Sequence, residues 1–185
     1  MMNNFKKITL LDISAVITLS IIWAALSYGA NLIFNPQSSY VVLLFVLSLS
    51  ACYVAFLVRK TGIVSLFYLL SVLLTFNMNT LITSGQTKLF SFLLTGLIFD
   101  LILFLMKTEE NKPRDVIIAA SISTALFPVI VASILSTGSF VTIISSTLNL
   151  ALLSLLIGIA SSLTAYLIWM QFRTTKTSLR FEFGD

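Results

Sequence analysis

The chain has 185 residues, 58% of them hydrophobic and 10% charged, with a formal net charge of +4. Soluble domains carry about 25% charged residues, so a surface this poor in charge is solvated by lipid, not water. There is no histidine and one cysteine, Cys52. Zinc, copper and haem ligand sets, His-based triads and an internal disulfide are therefore excluded, and no metal or cofactor is expected.

The first twenty residues, MMNNFKKITLLDISAVITLS, start basic like a signal peptide. The apolar run outlasts a signal peptide and has no small-residue cleavage site, so it reads as a retained helix. Crossing the hydrocarbon core takes about 20 apolar residues. Ile13 to Val58 holds no charge and is too long for one span. Asn35-Pro36-Gln37-Ser38-Ser39 breaks it, because Pro and Asn make a turn. Helix 1 is placed at Ile8–Phe34 and helix 2 at Tyr40–Val58. Arg59 and Lys60 end helix 2, and Gly62 opens helix 3 at Ile63–Ile82. A turn rich in amides and hydroxyls precedes helix 4 at Lys88–Met106. After the charged stretch KTEENKPRD, Val116 to Phe172 is again free of charge. Ser136-Thr137-Gly138-Ser139 divides it into helix 5, Val116–Leu135, and helix 6, Phe140–Phe172. The fold class is all-α: a polytopic bundle of six transmembrane helices over residues 1–172, with a short polar tail over 173–185.

Six crossings put both termini on one side, with ten of the 11 lysines and arginines. Lys88 alone lies on the other. By the positive-inside rule the termini are cytoplasmic, in the cell membrane, and the amide-rich turn faces outward. The basic residues sit at helix ends without interleaved aromatics, so no nucleic acid partner is expected. No G-x-x-x-x-G-K-[ST] loop is present, so this chain does not itself hydrolyse ATP in the P-loop manner. No repeat relates helices 1–3 to helices 4–6, as a self-sufficient secondary transporter often has. With no histidine, no paired carboxylates and no serine beside a base, an intramembrane enzyme is not expected.

Helix 3 carries Tyr68, Ser71, Thr75 and Asn79 on one face, and helix 4 carries Lys88, Ser91 and Thr95 on another. Hydroxyls in membrane helices usually bond to their own carbonyls or to a neighbouring helix, which suffices for Ser71, Ser91 and Thr95. Amides are costlier to bury. Asn77, Asn79, Gln86 and Lys88 are therefore the candidate solute-binding residues, with Trp23, Tyr28 and Asn31 on helix 1 and Asn149 in helix 6. Each has an ordinary alternative: loop solvation for the amides, snorkelling for Lys88, interfacial anchoring for Trp23 and Tyr28, a helix–helix hydrogen bond for Asn149. Asp100 is the one acid well inside a span, about 10 Å from the cytoplasmic end of its helix. It is read as structural or coupling, within reach of Arg59, Lys60 or Arg114. Asp12 is placed at the interface. Small residues at four-residue steps mark close contacts: Ser154, Gly158 and Ser162 in helix 6, Ala119, Ser123, Ala120 and Thr124 in helix 5, Ala25 and Gly29 in helix 1.

Arg59-Lys60-Thr61-Gly62 opening helix 3 and Gly96-Leu97-Ile98-Phe99-Asp100-Leu101 in helix 4, on this six-helix topology, resemble the substrate-binding S-components of energy-coupling factor transporters. The likeness is to the hydroxymethylpyrimidine/thiamine group. It implies a vitamin or vitamin precursor captured from outside, a membrane coupling subunit and two cytoplasmic ATPases as partners, and a site at the outer helix ends, here Asn31, Asn77, Asn79, Gln86, Lys88 and Asn149. The family's Ala-x-x-x-Ala patch on the cytoplasmic half of helix 1 is replaced by Ser14 and Thr18. No acid stands ready for a cationic thiazolium, which disfavours thiamine itself. The competing expectation is a non-catalytic scaffold or assembly subunit with polar turns that merely face water.

Overall fold

The computed structural model describes residues 8–81, 83–106, 112–136 and 140–172, the side chains of 140–142 excepted. Lys6, Lys7, Lys107 and the acidic stretch after it, the turn at 137–139 and the tail lie outside the described residues. The chain forms six helices: α1 (Leu10–Ile33), α2 (Pro36–Val58), α3 (Ile63–Leu74), α4 (Gly85–Leu105), α5 (Pro113–Leu135) and α6 (Phe140–Phe172). Five are long and apolar enough to cross a membrane. The exception is α3. Its 12 residues cover only about 18 Å of a core about 30 Å thick.

Local chemistry sets the helix ends. Thr9 caps α1 in a capping box, its hydroxyl accepting from the Asp12 amide while Asp12 accepts from the Thr9 amide. Asn35 caps α2 and Pro36 fills its first turn, where a missing N–H matters least. The expected start of helix 2 at Tyr40 is thus four residues late. Arg59 ends α2 at φ 50°, and Gly62 opens α3 at φ 84°, a backbone conformation that glycine adopts without strain.

Helix α2 is the most enclosed, with α1, α3, α5 and α6 as neighbours, and α4 bridges α3 to α5. Hydroxyls tie the middle of the bundle together. Ser48 of α2 accepts from Thr124 of α5 at 3.2 Å and from Ser161 of α6 at 2.7 Å, and Tyr40 bonds Ser154 at 3.1 Å. The small-residue steps of α5 and α6 meet as expected. A Cβ on Gly158 would lie 2.9 Å from the Ser121 Cα and 3.1 Å from the Ala120 carbonyl oxygen. Gly158→Ala must push these helices apart. Overpacking costs about 2 kcal/mol, and alanine's better helix propensity returns about 1 kcal/mol. A net loss of about 1 kcal/mol is expected in the thermal midpoint of the purified protein, and a gain would show that the α5–α6 contact yields freely. On α1 the picture differs: a Cβ on Gly29 would meet nothing within 4 Å. Among the described residues the Ala25–Gly29 pair marks no helix contact.

One expectation about charge is corrected. Asp12, in the first turn of α1, is buried and ion-paired to Lys60, so the acid that Lys60 pairs with is Asp12 and not Asp100. Arg59 stacks on Trp169, its guanidinium carbon 5.0 Å from the ring centroid, beside Phe56 and Tyr166.

Candidate functional site

Helix α3 stops at Leu74, eight residues before the expected end at Ile82. Thr, Asn and Phe from 75 onward are poor helix formers, and the carbonyls that would continue the ladder are taken by another group. Lys88, from the first turn of α4, donates to the Thr75 carbonyl at 2.6 Å and to the Met78 carbonyl at 3.2 Å. Its side chain has no solvent exposure, and its ammonium lies 5.8 Å from the Phe92 ring centroid. Lys88 is a buried cap on the negative end of α3, not a snorkelling surface lysine.

Asp100, on the same helix α4, holds the opposite end. One carboxylate oxygen accepts from the Ser65 backbone N–H at 2.7 Å and from the Ser65 hydroxyl. This caps α3 at its N-terminus, where Gly62 has no side chain to do so. The two charges are twelve residues apart on α4, about 18 Å, and α3 is as long. A single antiparallel helix thus places an anion at the positive end and a cation at the negative end of its neighbour. Gly96 lies between them, where a Cβ would come within 3.0 Å of the Ser65 Cα and 3.1 Å of Tyr68. The stretches at 59–62 and 96–101 meet across this α3–α4 contact.

Residues 75–81, 83 and 84 do not return to helix. Thr80 and Thr83 exchange backbone hydrogen bonds at 3.1 and 3.0 Å, closing a tight turn in which Leu81 takes φ 54°. A left-handed leucine is strained, and such strain gathers at ligand clamps and switch regions. Thr80, Leu81 and Thr83 are buried.

Helix α1 lies beside this segment and runs parallel to α3. Its buried residues include Ser20, Trp23 and Ser27. Ser71 donates to Ser20 at 3.4 Å, and Asn31 donates to the Asn79 carbonyl at 2.9 Å while accepting from Ser39 at 3.1 Å. Between those ties sits Trp23, 6.4 Å from Phe92, and about one turn below Ser71 lies Tyr68, edge-on to Phe92 at 5.9 Å. Three side-chain atoms here are buried without a hydrogen-bond partner among the described residues: Trp23 Nε1, Ser27 Oγ and Thr80 Oγ1. Ser27 is the informative one. A serine in a helix can bond its own preceding turn, as Ser91 does to Thr87, Thr95 to Ser91 and Ser121 to Ile117. Ser27 does not.

The expected residues therefore divide. Trp23, Lys88 and, through its amide, Asn31 surround one buried polar patch. Asn77, Asn79 and Gln86 are exposed, and Asn79 joins only through its backbone carbonyl. Tyr28 is exposed on another side of α1, and Asn149 is exposed on α6, so neither lines this patch. Asp100 serves α3, as a structural reading requires, with Ser65 as its partner in place of Arg59, Lys60 or Arg114. Ser27 and Thr80 belong to the patch without having been expected there. The signal was present: Ser20, Trp23, Ser27 and Asn31 are spaced three, four and four, as are Tyr68, Ser71, Thr75 and Asn79, and the two stripes face one another. No protein family matches the chain, and no characterised protein or solved structure does either.

Proposed function

We propose that the chain is the substrate-capture subunit of an uptake transporter, taking a small vitamin-like solute from outside and leaving energy supply to a separate membrane coupling subunit and cytoplasmic ATPases. Both termini are cytoplasmic in this reading, α3 and residues 75–84 together complete a sixth crossing, and the polar patch lies in the outer half of the cell membrane. The observation that carries the proposal is the set of unpartnered buried atoms on Trp23, Ser27 and Thr80, on elements that meet where Trp23 and Lys88 both pack on Phe92. Each such atom destabilises the empty protein by about 1–3 kcal/mol, and a bound solute supplies the missing partners. Irregular backbone at membrane depth is tolerated only where protein or a water-filled cavity surrounds it, and broken helices with buried charge recur at transporter binding sites. The likeness to energy-coupling factor S-components adds the division of labour, and the absence of a P-loop agrees with it.

The exposure of Asn77, Asn79, Gln86 and Asn149 favours the second reading, a scaffold or assembly subunit with solvated turns. Two measurements on the purified protein separate them. A panel of pyrimidines, thiazoles, pyridines and other cofactor precursors should include a compound that raises the thermal midpoint, because a ligand that binds only the folded state stabilises it. Ser27→Ala should raise the midpoint of the empty protein, by about 1 kcal/mol in stability, and lower the response to that compound. A panel without any response, or a Ser27→Ala protein less stable than the parent, would put the scaffold ahead.

A further inference from the structure

We infer that the solute of this site is a small planar anion, its negative oxygen at Lys88 and its body against the Trp23 indole N–H; this rests on the capture reading above. The unpartnered atoms can all donate: an indole N–H and two hydroxyls. An ammonium has three donors, and two of those on Lys88 are used, by the carbonyls of Thr75 and Met78. No carboxylate of the described residues is in ion-pair contact with Lys88, since the ion pair seen there is Lys60–Asp12. A buried cation is normally matched by an anion, and here the fold supplies only carbonyl dipoles. Asp100, the acid of the same helix, stands about 18 Å away and is engaged by Ser65. The first turn of α4, which Ser84 leaves without a side-chain cap, adds the positive end of a helix dipole. A cationic solute would meet like charge and, among the described residues, no carboxylate in contact with Lys88 to offset it.

The test is the thermal midpoint of the full-length protein in detergent with probes of similar size and different charge. Pyridine-3-carboxylate and orotate are the anions, pyridine-3-carboxamide and uracil the neutral compounds, and 1-methylpyridinium-3-carboxamide the cation. The anions should raise the midpoint, the neutral compounds should need about tenfold higher concentration, as expected for loss of one charge-assisted bond, and the cation should do nothing. Trp23→Phe keeps a ring but removes the N–H, and should weaken the anion response about tenfold. Lys88→Met should abolish it. Where that variant fails to fold, Trp23→Phe and the charge order of the probes still decide. Responses confined to neutral or cationic compounds, here or in the wider panel, would overturn the anion assignment and leave capture standing. An anion response unchanged in Trp23→Phe would overturn the placement. No response from any compound in either set would overturn both readings.

Discussion

Lys88→Met should destabilise the empty protein by about 3 kcal/mol, a fall of roughly 6–12 °C in midpoint for a chain of this size. Methionine matches lysine in length and fills irregular space well, so little packing is lost. What disappears is the donor to the carbonyls of Thr75 and Met78. The Met78 carbonyl loses this donor and the Thr75 carbonyl keeps only the Met78 N–H at 3.0 Å, and each such loss costs about 1–3 kcal/mol. Relief from burying a charge offsets part of this, which keeps the figure in the lower half of the summed range. Thermal unfolding followed by tryptophan fluorescence would measure it. A midpoint within a degree of the parent would mean that residues 75–84 hold their shape without the ammonium.

Asp100→Ala should cost a similar amount, about 2–3 kcal/mol, because it strips α3 of a charged cap that accepts from Ser65 twice. Asp100→Asn keeps one acceptor at the same place and should lose about 1 kcal/mol. The two alanine-type losses are informative together. Lys88 and Asp100 are too far apart to touch, and distant sites are normally additive. They hold opposite ends of the same short helix, however, so once one end is released the other has less to hold. The double variant should lose less than the sum of the single ones. Strict additivity would show that α3 is kept in place by its packing on α1, α2 and α4 without help from the two charges.

Much of the architecture was legible because lipid imposes simple constraints. Charge-free runs too long for one span, broken by Asn-Pro or by Ser-Thr-Gly, place the helices to within a few residues. The close α5–α6 contact followed from small residues at four-residue steps. The end of α3 was not legible in the same way. Apolar character continues through Phe76, Met78, Leu81 and Ile82, and what stops the helix is a lysine ten or more residues further on. Hydropathy cannot report such a competitor. The same long-range pairing hid Asp12, whose partner Lys60 is 48 positions away, and made Asp100 look short of a local partner when Ser65 was waiting on α3. In the candidate site the sequence drew attention to one residue type and the buried patch holds others. Amides drew attention because they are costly to bury, yet Asn77, Asn79 and Gln86 escape that cost by facing outward. The groups that carry it are the indole of Trp23 and the hydroxyls of Ser27 and Thr80, which composition alone treats as unremarkable.

The bracketing of α3 by one helix also bears on biogenesis. An aspartate in the middle of a helix disfavours translocon-mediated insertion by about 2.5–3.5 kcal/mol, and α4 carries Asp100 well inside its length and Lys88 in its first turn. Alone, α4 is a reluctant segment, and α3 is too short to hold itself across a bilayer. Joined, the carboxylate and the ammonium find their partners on α3, and α3 gains the length that residues 75–84 add. The two segments are thus built to leave the translocon as a hairpin, each making the other's entry into lipid possible.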